Sequence, residues 1–161
     1  MKLSGYTHVS IHATDVEESA AFYEDLFDVE REHSPKFGIP VVWLRLGDQQ
    51  LHLIERDIDA PPYHHFGVAV DDFNEFYHRA RERNLFCDED DPMGADIYEL
   101  PDGSVQVYFR DPDGNLVEVD APDVTELDDE IRDQIVKRED QFPQSAENRK
   151  ATLFPSSPAF E

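Results

Sequence analysis

Among seven histidines and 37 carboxylates, few are spaced so that they can act together. His8 opens a run that alternates with period two, Val9 and Ile11 on one side and His8, Ser10 and His12 on the other. His65 opens an equivalent run 57 residues later, the difference between 65 and 8. His52 lies between Leu51 and Leu53, and Glu118 between Val117 and Val119, so both polar side chains point away from the apolar side of their strands. Three imidazoles and one carboxylate suit a borderline divalent cation such as Zn²⁺, Ni²⁺, Co²⁺, Mn²⁺ or Fe²⁺. Such an ion polarises a substrate oxygen as a Lewis acid. The four residues converge if the two strand sets curve around one cleft.

Positioning them requires a repeated unit. Tyr6-Thr7-His8-Val9-Ser10-Ile11 reads against Tyr63-His64-His65-Phe66-Gly67-Val68, and at the same offset Asp15, Val16, Ala20 and Tyr23 fall on Asp72, Phe73, Tyr77 and Ala80. The apolar spacing after each first strand predicts an amphipathic helix, behind the capping-box patterns Thr14-x-x-Glu17 and Asp72-x-x-Glu75. Strand-like runs follow, at 30–33, 41–46 and 50–54 in the first copy and at 97–100, 105–110 and 116–119 in the second, separated by Gly47-Asp48, Pro101-Asp102-Gly103 and the turn 111–115. The expected class is α+β, with two βαβββ modules (1–60 and 61–122, joined at Pro61-Pro62) forming curved mixed sheets around a metal cleft. Leu127, Ile131 and Ile135 recur every four residues, which predicts an amphipathic helix over 124–142 within a C-terminal helical extension, 123–161. Its simplest role is a stabilising arm.

Paired βαβββ modules, a His opening each, and the run Tyr108-Phe109-Arg110-Asp111-Pro112-Asp113-Gly114-Asn115-Leu116-Val117-Glu118 resemble the vicinal oxygen chelate superfamily over about residues 5–121. That superfamily includes glyoxalase I, fosfomycin-resistance thiol transferases, methylmalonyl-CoA epimerase, extradiol dioxygenases and metal-free bleomycin-binding proteins. The resemblance implies a metal triad of His8, His65 and Glu118, with His52 in a fourth position that holds Glu or Gln in relatives. It implies a metal-dependent enzyme with one divalent ion per site, a small oxygenated substrate and a homodimer. Glyoxalase-like lyase or isomerase chemistry leads, with Glu118 as general base. An Fe(II) extradiol dioxygenase is the alternative: Tyr108 stands ten residues before Glu118 as that signature has it, a catalytic candidate, yet 98–104 lacks the His the signature also wants. A metal-free binding module is a further alternative. Thiol transfer to an antibiotic finds no Lys/Arg cluster for a phosphonate. Trp43, Arg45 and Arg110 alternate onto the cleft side as substrate-contact candidates, whereas His12, His33, His64 and His78 read as ordinary surface histidines.

The composition excludes other classes. With 14 Lys+Arg against 37 Asp+Glu, the formal net charge is −23, which repels nucleic acid and anionic membranes. Hydrophobic residues make up 39% of the chain, 11 of them Phe, ample for a core and against disorder. One cysteine, Cys87, forms no intrachain disulfide, and neither a basic-plus-apolar leader nor a ~20-residue apolar span is present, so a reduced cytoplasm is expected. The dispersed acids suit a salt-rich cytoplasm, where screening suppresses self-repulsion.

Overall fold

A computed structural model describes residues 5–154. Its strands and helices group into two compact units: one runs through His64 and takes in Arg110–Leu116, and the other is His65–Phe109 with the chain from Val117 on.

In the first unit, β1 (His8–Ala13), β2 (Arg31–Glu32), β3 (Val41–Leu46) and β4 (Gln49–Glu55) form a sheet of order β1-β4-β3-β2. It is mixed, since β1 runs parallel to β4 while β3 is antiparallel to both β4 and β2. Helix α1 (Val16–Phe27) buries Val16, Ala20, Tyr23 and Leu26 on the side where Leu44, Leu51 and Leu53 are fully buried. Each such leucine stabilises the fold by about 2 kcal/mol through loss of apolar surface to water. The helix begins one residue later than its predicted box: Asp15, not Thr14, accepts from the Glu17 and Glu18 amides. Thr14 instead donates both its amide and its hydroxyl to Asp113, at 2.7 and 2.6 Å.

In the second unit, β5 (His65–Ala69), β6 (Ile97–Glu99), β7 (Val105–Arg110) and β8 (Leu116–Ala121) form a sheet of order β5-β8-β7-β6, extended on the β6 side by β9 (Ile135–Lys137). Helix α2 (Phe73–Glu82), capped by Asp72 as predicted, buries Phe73, Phe76, Tyr77 and Ala80. Phe76 meets Phe109 with ring centroids 6.1 Å apart, and Val105 and Val107 complete that core. The βαβββ repeat is therefore present twice, as two open sheets.

The predicted helix over 124–142 does not form as one piece. A 3-10 turn (Val124–Glu126), α3 (Asp129–Arg132), β9 and α4 (Arg138–Gln141) replace it. Leu127 and Ile131 are buried as their spacing required. Beyond them, Ile135-Val136 are β-branched, and the open edge of β6 offers a ladder that no isolated helix could match: Ile97, Tyr98 and Glu99 pair in parallel with Ile135, Val136 and Lys137. Clustered acids at Asp128, Asp129, Glu130 and Asp133 further weaken a continuous helix through like-charge repulsion.

Candidate metal centre

The polar face of the second sheet carries His65 on β5, Gln106 and Tyr108 on β7, and Glu118 and Asp120 on β8. Period-two alternation places them there while Val117 and Val119 face the core. Glu118 is the hub. Its Oε2 lies 3.4 Å from His65 Nε2 and accepts hydrogen bonds from the Tyr108 hydroxyl and from Gln106 Nε2, the latter at 3.0 Å. Burial, and then the Glu118 carboxylate, push the Tyr108 hydroxyl far above its ordinary pKa, so it stays protonated and donates. Asp120 is also buried; burial and the Glu118 charge raise its pKa to about 8, and its Oδ1 has no partner among the described residues. Gly67 sits across from both carboxylates. A Cβ there would lie 3.2 Å from Asp120 Oδ2 and 3.6 Å from Glu118 Oε1, so the position keeps room beside these oxygens.

The polar face of the first sheet carries His8 on β1, Gln50 and His52 on β4, and Trp43 on β3 opposite His52. The three rings stack: His8 on His52 and His52 on Trp43, each with centroids 4.2 Å apart and interplanar angles of 13° and 5°. Phe37, exposed, lies 6.1 Å beyond Trp43. His52 Nε2 meets Gln50 Oε1 at 3.0 Å; in the tautomer whose Nε2 donates to this amide oxygen, Nδ1 keeps its lone pair. Burial, then the neighbouring His8, hold the His52 imidazole below its ordinary pKa, leaving it neutral at pH 7, the state that ligates metals. The Trp43 Nε1 is buried without an acceptor among the described residues. Arg45 pairs with Glu32.

The four ligand candidates thus come as two pairs, His65 with Glu118 and His8 with His52, each within its unit. Among the described residues no group of three or more His, Cys, Asp or Glu side chains is arranged to hold a metal ion. The donor chemistry nevertheless fits one. Two ligand atoms each ~2.1 Å from a tetrahedral ion lie roughly 3.4 Å apart, the separation of His65 Nε2 and Glu118 Oε2.

Most of the Asp-Pro-Asp-Gly-Asn run serves the fold. Buried Asp111 accepts from Tyr23 Oη at 2.8 Å and from the Asn115 amide and side chain at 2.8 and 2.9 Å, Asp113 accepts from Ser19 Oγ at 2.5 Å, and Gly114 takes a φ of 80°, which favours glycine. Arg110 donates to the Gly114 and Pro62 carbonyls at 2.9 Å each, which ties the joint between the modules to this turn. Sequence reasoning missed Gln106 and Asp120, although both share strand parity with residues it singled out, and Gln50, which shares parity with His52. It also missed Gly67, legible only as a glycine inside an alternating strand.

Two open βαβββ sheets, each presenting half of a His/His/His/Glu set, define the architecture of a vicinal oxygen chelate protein. A family model, the Glyoxalase/Bleomycin resistance protein/Dioxygenase superfamily, matches residues 5–119, and the chain belongs to that family. A curated relative, the metallothiol transferase FosB of Shouchella clausii (strain KSM-K16), is 30% identical over 130 residues, covering 73% of this chain and 80% of its own. Lactoylglutathione lyase from Agrobacterium tumefaciens superposes with a TM-score of 0.56 at 26% identity, over 74% of this chain and 95% of its own. FosX from Listeria monocytogenes, solved with Mn(II) and sulfate, has the same fold, with a TM-score of 0.58 at 18% identity over 78% of this chain and 98% of its own. No helix among the described residues is long and apolar enough to cross a membrane.

Proposed function

We propose that the protein is a metal-dependent enzyme that takes one divalent ion on His8, His52, His65 and Glu118 and turns over a small oxygenated substrate by glyoxalase-like lyase or isomerase chemistry. The 3.4 Å approach of His65 Nε2 to Glu118 Oε2 carries this reading, because burying Glu118 beside a second buried carboxylate, Asp120, makes sense where a cation is to be held. When bound, the ion supplies Lewis-acid polarisation of a substrate oxygen. Glu118 accepts the substrate proton as general base. Tyr108 and Gln106 donate to its Oε2 and fix the carboxylate's orientation, neutral His52 provides a lone pair without adding charge, and His8 stacked on it is the further imidazole ligand. Trp43 and Arg45 contact the substrate, while Arg110 holds the 111–115 turn through the Gly114 and Pro62 carbonyls. A cytoplasmic, homodimeric enzyme fits the single buried thiol and the family's habit of pairing.

A second reading, thiol transfer, draws support from the similarity to metallothiol transferase FosB, and a third, Fe(II) dioxygenase chemistry, from the two-His-one-carboxylate set. Metal analysis of protein purified without chelators or metal-affinity columns is the test. Nickel, zinc, cobalt or manganese at one per chain, with turnover that needs no thiol, is expected; thiol-dependent turnover supports transfer, iron supports the dioxygenase, and absence of bound metal overturns the enzyme reading.

A further inference from the structure

The solved relatives reported above span about three quarters of this chain while using nearly all of their own, and the family model ends at residue 119. The C-terminal extension lies beyond that model, and it delivers one group to the polar face of the second sheet. Once β9 has paired with β6, the chain turns into α4 and sets Arg138 over the ring of Tyr98, its Cζ 3.3 Å from the ring centroid. Tyr98 stands opposite Gln106 on the neighbouring strand, so the two side chains share a face, and Gln106 reaches Glu118. Two strand spacings put the Arg138 guanidinium roughly 10 Å from Glu118, and its charge acts on the Tyr108 hydroxyl against those of Glu118 and Asp120.

Many of the basic side chains of this acidic chain hold a carboxylate. Arg31, Arg45, Arg81, Lys137 and Arg149 each hold a carboxylate. Half-buried Arg138 has none within ion-pair distance among the described residues; it donates to Gln141 Oε1, at 3.0 Å, and to the hydroxyl of Tyr98. With 37 carboxylates in the sequence, a half-buried arginine held by an aromatic platform, its hydroxyl and one amide keeps N–H donors in excess of these partners. The platform fixes the planar fork at little further entropic cost, which is how a guanidinium is prepared for an oxyanion.

We infer that Arg138 is an anion-anchoring residue, delivered by the extension to the rim of the Glu118 face, where it takes a carboxylate or phosphate group of the small molecule that reacts beside Glu118. The inference deepens the proposed function and rests on its assignment of the Glu118 face as the reactive one. It narrows the substrate class to small oxygenated anions, with a charged group some 10 Å from the reacting oxygen.

The test is direct binding of simple oxyanions. Metal-loaded and chelator-treated protein are each titrated with inorganic phosphate and, separately, acetate at constant ionic strength, by calorimetry and by the arginine Nε–H signals in NMR. The Arg138 signal should move with saturation in both preparations, and Arg138→Gln should weaken binding at least tenfold in both, with Arg138→Lys between. An Arg138 signal unmoved at saturation overturns the inference, and this wild-type measurement holds even where a variant folds poorly. Affinity that vanishes with the metal and is untouched by Arg138→Gln overturns it too, placing the anion on the ion. Metal content is read separately, so protein that takes up no metal yet binds phosphate through Arg138 supports the anchor while the ligand set falls.

Discussion

The proposed function puts two duties, ligand and base, on Glu118 and only the first on His52. Glu118→Gln preserves shape and an oxygen but cannot take a proton at neutral pH, so turnover should fall ~10²-fold or more with partial metal occupancy kept. His52→Gln should weaken metal binding and leave measurable activity. Metal content and turnover measured side by side decide the matter: activity of Glu118→Gln that returns with excess metal makes Glu118 a ligand only. A structural counterpart lies at Tyr23, whose hydroxyl donates to buried Asp111. Burial raises the Asp111 pKa against the pull of its donors, Asn115 and Tyr23 first among them. A carboxyl with a raised folded pKa contributes most stability when protonated, below its unfolded value, and loses that contribution as pH rises through the folded one. Removing a donor to the charged form raises the pKa further. Tyr23→Phe should therefore cost about 1–3 kcal/mol at pH 7–8 and less near pH 4–5, and denaturant unfolding at both pH values checks it; an equal cost at each would show that Asp111 does not titrate there. The ligand candidates were legible because alternation and a repeat point at them. Asp120 was not, because what distinguishes it is depth of burial beside Glu118, a property of packing.

The strands and both long helices were legible from periodicity and turn residues, with boundaries shifted by one or two positions. Where the reading failed, at 124–142, the local pattern was helical and the outcome was set by a distant partner, the free edge of β6. Two anchors hold the extension there. Ile131 is fully buried and Leu127 nearly so, while Arg81 to Glu130 and Arg149 to Glu139 are exposed ion pairs and Lys137 to Glu99 a partly exposed one, and such pairs add little to stability. Ile131→Ala should thus lower stability by about 2–5 kcal/mol, whereas Arg149→Gln should change it little. Hydrogen exchange gives an independent reading, since Ile131→Ala should expose the β6 and β9 amides ahead of β7 and β8. Uniform loss of protection across the sheet would mean that the extension and sheet unfold as one.

On the scale of the whole molecule, the outer strands β1 and β5 carry exposed polar faces, with His8, Ser10, His65 and Gly67 all open to solvent. Unpaired strand edges of this kind invite association, and the proposed homodimer predicts twice the chain mass by light scattering with one metal per chain; a monomer with full metal content rejects it. Charge gives the last prediction. A formal net charge of −23 on 161 residues repels itself at low ionic strength, where the Debye length is ~30 Å, about the width of such a domain, and much less at 1 M, where it is ~3 Å. Screening also weakens the exposed ion pairs, but these are few and individually small against the summed repulsion of so many like charges. The two effects have opposite sign, and repulsion is the larger because it is summed over the whole surface. Melting temperature should consequently rise as sodium chloride is added from 10 mM toward 1 M, and potassium chloride should act alike, since screening depends on ionic strength. A fall on adding salt would mean that the ion pairs outweigh the repulsion, and a flat profile that the acids are already compensated pairwise; either outcome removes the case for a salt-rich habitat.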